Sequence, residues 1–70
     1  MDINIITHAW TLLRTHSGDL NMLFKSAPKH PRHQLAEVAQ AWHWAKLKRN
    51  ADLVIGRSPV TIFELYKSCS

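Results

Sequence analysis

Five histidines, one cysteine and five carboxylates are the groups in this 70-residue chain whose types could do acid–base, nucleophilic or metal chemistry. A general base needs an orienting partner and a reacting group within hydrogen-bond reach. Asp2, Asp19, Glu37, Asp52 and Glu64 are scattered, and none shares an obvious one-face spacing with a histidine. A glycine-rich phosphate cradle needs several glycines, and only Gly18 and Gly56 occur. Cys69 stands near the end of the last segment, where fraying defeats a positioned nucleophile. It reads instead as a small apolar residue in the core beside Leu65 and Tyr66. His30 and His33 are three apart, with His43 further along the same segment. A closed zinc site takes four ligands, usually with cysteines among them, and the second half of such a set is missing. His30 and His33 therefore read as solvated residues at a helix entry. The expectation is a protein that is not an enzyme, with no catalytic residue, no metal ligand and no cofactor.

Charge points to macromolecules. Nine Lys and Arg against five acids give a net charge of +4, which becomes +9 (4 + 5) if every histidine is protonated. Such a field attracts nucleic-acid phosphates and acidic protein surfaces alike. Lys46, Lys48, Arg49 and Arg57 lie close in sequence, a grouping that also suits the C-terminal end of a helix dipole. The stretch Ile55-Gly56-Arg57-Ser58-Pro59-Val60-Thr61-Ile62 resembles the turn and recognition-helix start of helix-turn-helix proteins. In that family a glycine turn precedes a helix that enters the major groove. The resemblance spans about a dozen residues and departs from the pattern at Asp52, where the family has a small residue. The face it would offer DNA carries Val60, Phe63, Glu64 and Lys67, whereas base readout favours Arg, Asn, Gln and Lys. It implies a DNA-binding regulator acting through Lys46, Lys48, Arg49, Arg57 and Lys67, the alternative to the reading preferred below.

The tryptophans carry that preferred reading. At about 100° per residue, Leu35, Val38, Ala39, Trp42 and Ala45 form one stripe of a helix. Trp44 then points to nearly the opposite side, with Leu47 next to it one turn on. An indole and a leucine on an otherwise polar face require cover. A second helix of the same chain, for instance the C-terminal segment, would supply it. So would a partner, because tryptophan is enriched at interaction hot spots with basic rims.

Three breaks punctuate the chain: Ser17-Gly18-Asp19, Pro28 to Pro31, and Gly56-Arg57-Ser58-Pro59. The first segment, about Ile3 to Thr15, repeats Ile6, Ala9, Trp10 and Leu13 at helical spacing, with Asp2 as cap and Gly18 as a left-handed stop. The second, about Asp19 to Ser26, is a two-turn helix with Leu20, Leu23 and Phe24 on its apolar edge, and it needs packing to persist. The third starts at Pro31 or Arg32 and runs to about Asn50, rich in alanine and other strong helix formers. The last fits a helix begun by Ser58-Pro59, with Ile62, Phe63, Leu65, Tyr66 and Cys69 on one face. Leu53-Val54-Ile55 and Val60-Thr61-Ile62-Phe63 around a four-residue turn also fit a β-hairpin. The helix is preferred, because an isolated hairpin is weak.

These elements predict a single all-α domain over residues 1–70, a bundle of three to four helices. Its core is expected to hold Trp10, Leu13, Leu23, Phe24, Leu35, Val38, Trp42, Ile62 and Leu65. A lone cysteine, no secretory signal and no apolar run near ~18 residues predict a cytoplasmic protein with no membrane span. The expected function is stoichiometric docking, as a small regulator or inhibitor, on an acidic protein surface through Trp44, Leu47, Lys48, Arg49 and Arg57. In size, charge and lack of cofactor the chain resembles accessory proteins of phages and mobile elements. A structural homodimer is a third reading.

Overall fold

Four local signals start and stop the helices, and the computed structural model places each where the residues direct. It describes residues 1–47 and 57–69. Helix α1 spans Ile3–Thr15, with the Asp2 carboxylate accepting from the Asn4 N–H at 2.9 Å. Helix α2 spans Leu20–Ser26, and Asp19 accepts from the backbone N–H groups of Asn21 and Met22. Helix α3 is Arg32–Leu47, entered directly after Pro31. Helix α4 is Pro59–Cys69, where the Ser58 hydroxyl accepts from the Thr61 N–H at 3.2 Å. Each cap satisfies donors that a helix start leaves unpaired.

The stop of α1 differs from expectation by one residue. Ser17, not Gly18, is the first left-handed residue (φ 54°), and Gly18 follows at φ 79°. The Gly18 N–H returns to the Leu13 carbonyl at 2.8 Å, the six-to-one bond of a Schellman stop. Glycine is needed at 18 for a second reason. A β-carbon there would stand 2.5 Å from Cζ3 of Trp42. The turn is thus cut to let an indole of α3 lie against it.

Helix α3 is the centre of the molecule: α1, α2 and α4 all pack on it, and α1 also meets α2 and α4. Its buried residues are Leu35, Val38, Ala39, Ala41, Trp42 and Ala45, and the alanines allow neighbouring backbones to come close. The core is completed by Ile6, Ala9, Trp10 and Leu13 of α1, Leu23 of α2, Ala27, and Ile62 and Phe63 of α4.

Two members of the expected core are placed differently. Leu65 is on the surface, 36% exposed, and Phe63 takes the inward place at 6%. These positions are two apart, about 200° round a helix, so only one of them can face in; the aromatic buries the larger area. Phe24 is only partly buried, with the Arg32 guanidinium 4.5 Å above its ring. Cys69 is exposed rather than packed with Leu65 and Tyr66. The hairpin alternative fails at its second strand, because Val60-Thr61-Ile62-Phe63 is helical; Leu53-Val54-Ile55 lies outside the described residues, as do positions 48–50 at the expected end of the third helix. No strand occurs among the described residues, and no helix among them is long and apolar enough to cross a membrane.

Candidate docking surface

Glu37, Gln40 and Trp44 recur at spacings of three and four, so they line one edge of α3. That edge faces α4, which runs antiparallel to it. Glu37 pairs with Lys67. The Tyr66 hydroxyl donates to Oε1 of Gln40 at 3.0 Å. The Trp44 ring meets the Tyr66 ring edge-on, with centroids 5.8 Å apart and planes at 66°. Trp44 and Tyr66 are both half-buried. The indole is therefore partly covered by the C-terminal helix.

Leu47 continues the same edge one turn beyond Trp44, past the last contact with α4, and is 82% exposed. Arg57, two residues before α4, is exposed. Lys46 is exposed as well, with its ammonium 4.5 Å above the Trp42 ring. The result is an apolar step, Trp44 to Leu47, beside Tyr66. Of the expected contact residues, Trp44 and Leu47 stand at the C-terminal end of α3, and Lys48 and Arg49 lie outside the described residues.

The face that the helix-turn-helix resemblance would offer DNA is largely committed elsewhere. Phe63 is in the core, Val60 is half-buried, and Lys67 pairs with Glu37 and lies 5.8 Å from the Phe63 ring centre. Ile3, 61% exposed, stands with Val60, Phe63 and Glu64 along an open groove between α1 and α4. No aromatic ring is half-exposed there as Trp44 is.

His33 is exposed, as a solvated residue at a helix entry is, whereas His30 turns to α1, where its Nε2 shares a hydrogen bond with Nδ1 of His8 at 3.1 Å. His16 bonds the Ser26 hydroxyl at 3.2 Å. His43 lies edge-on to Trp42. Among the described residues no three His, Cys, Asp or Glu side chains gather as metal ligands would.

Helical spacing sets Glu37 and Gln40 beside Trp44 and Leu47, as the sequence alone indicates. Tyr66 was not among the residues expected at this surface, because its facing partner lies 26 positions away. No family model, curated protein or solved structure matches this chain.

Proposed function

We propose that this protein is a small basic regulator or inhibitor that acts by stoichiometric docking on an acidic protein surface, without catalysis. The observation that carries the reading is Leu47, 82% exposed, one turn beyond a partly buried Trp44 that packs edge-on against Tyr66. A packed aromatic next to an exposed aliphatic forms an anchor that loses little rotamer entropy on binding. Basic residues that follow it in sequence, Lys48, Arg49 and Arg57, supply steering and register toward carboxylates. Three of the five acidic side chains are engaged within the chain, Asp2 and Asp19 in caps and Glu37 with Lys67.

The test pairs the wild-type chain with Leu47→Ser in affinity capture from the host cell, followed by reconstitution with each captured protein. Leu47 is exposed, so the substitution leaves helical content and melting temperature unchanged. The expected result is a protein held at a fixed whole-number stoichiometry by the wild type and held at least tenfold more weakly by Leu47→Ser. Equal retention of every captured protein by both chains overturns the reading.

A further inference from the structure

A second cluster of positive charge stands at the opposite end of α3. Residues 25–33 read Lys-Ser-Ala-Pro-Lys-His-Pro-Arg-His, and no carboxylate occurs anywhere between Asp19 and Glu37. Lys25, Lys29, Arg32 and His33 are all exposed. Their backbone is held at several points. Ala27 is 2% exposed and anchored in the core, and its N–H bonds the Leu23 carbonyl at 3.0 Å. The His30 N–H returns to the Ala27 carbonyl, and the His30 ring is tied to His8 of α1. Pro28 and Pro31 fix two further φ angles. The Pro31 carbonyl accepts from the N–H groups of Gln34 and Leu35 at 3.1 Å each. Arg32 is fixed in its own way, stacked over Phe24.

We infer that this connector is a second interaction surface, and that it binds the phosphate backbone of duplex nucleic acid. Three features select that partner. Lys25 at the end of α2, Lys29 in the connector and Arg32 at the start of α3 stand on a braced backbone, and charge neutralisation with counterion release is sufficient to drive phosphate binding. Between residues 25 and 33 no large apolar side chain is available as the anchor that a protein interface needs at its centre. Phe24 is covered by Arg32 and the His30 ring is tied to His8, which leaves no run of free aromatic rings on which successive unpaired bases would stack. With its contacts made to phosphates and no helix of the surface placed to enter a groove, the binding is independent of sequence. This surface shares no residue with the Trp44–Leu47 end and stands whether or not that end docks a protein.

The test is fluorescence anisotropy of a labelled random-sequence DNA duplex of about 20 base pairs, a length set by two helical turns, titrated with the full chain at several salt concentrations. For three fixed cations, log affinity against log salt is expected to fall with a slope of about −3. Lys25→Gln/Lys29→Gln/Arg32→Gln should lower affinity in dilute salt by at least tenfold and flatten the slope, with circular dichroism unchanged. Lys25→Gln/Lys29→Gln alone keeps the Arg32 stack and should bring the slope close to −1. Leu47→Ser should bind like the wild type. The inference is overturned if the triple variant binds as the wild type does, if no salt-dependent binding is seen, or if the chain binds phosphatidylserine vesicles but not the duplex.

Discussion

Gly18 carries the most constrained backbone position in the chain. It holds φ 79°, and its missing side chain is what admits the Trp42 ring. Gly18→Ala meets both obstacles together and should cost about 2 kcal/mol or more, read from urea unfolding. Ser17 offers the converse test. It pays for a left-handed conformation that glycine adopts freely, so Ser17→Gly should raise stability by about 0.5 kcal/mol in the same measurement. The two results together separate conformational strain from crowding, because only Gly18 has a neighbour at 2.5 Å. A near-zero effect at Gly18 would mean that Trp42 does not rest on this turn.

The helices differ in what holds them. Helix α2 has seven residues and buries only Leu23 fully, so its persistence depends on that one side chain and on the Asp19 cap. Leu23→Ala should cost about 2–5 kcal/mol and should release α2 first in hydrogen exchange. Along the α3–α4 edge the contributions are separable. Trp44→Ala removes the aromatic pair with Tyr66 and should cost about 1–2 kcal/mol, whereas Leu47→Ser should stay within about 0.5 kcal/mol of wild type. Thermal unfolding of the two variants checks the difference. If Trp44→Ala unfolds the chain outright, Trp44 is core and contributes nothing to a docking surface. Helix starts were legible in the residues because caps and prolines act locally: Asp2, Asp19, Pro31 and Ser58 each precede a helix. The rotation of α4 was not legible. Whether Phe63 or Leu65 turns inward depends on α1 and α3, and nothing local to the last segment encodes them. For the same reason, the residues showed that Trp44 needs cover but not that Tyr66 gives half of it.

At the scale of the whole molecule, the chain exposes 4612 Å² for a mass of 8.1 kDa, close to the roughly 4500 Å² expected of a compact monomer of that mass. It buries what a self-sufficient small domain buries, so light scattering over a hundredfold range of concentration should return the monomer mass. A dimer mass throughout would favour the structural homodimer over docking. The molecule places an apolar step at one end of α3 and a braced basic connector at the other, about 22 Å apart at 1.5 Å per residue from Arg32 to Leu47. Hydrogen exchange on the complex with the captured protein distinguishes those ends most directly. Slowed exchange at residues 40–47 and 57–60, with residues 25–33 exchanging as in the free chain, is the predicted result. Protection confined to 25–33, or none at the Trp44–Leu47 end, would contradict the docking account.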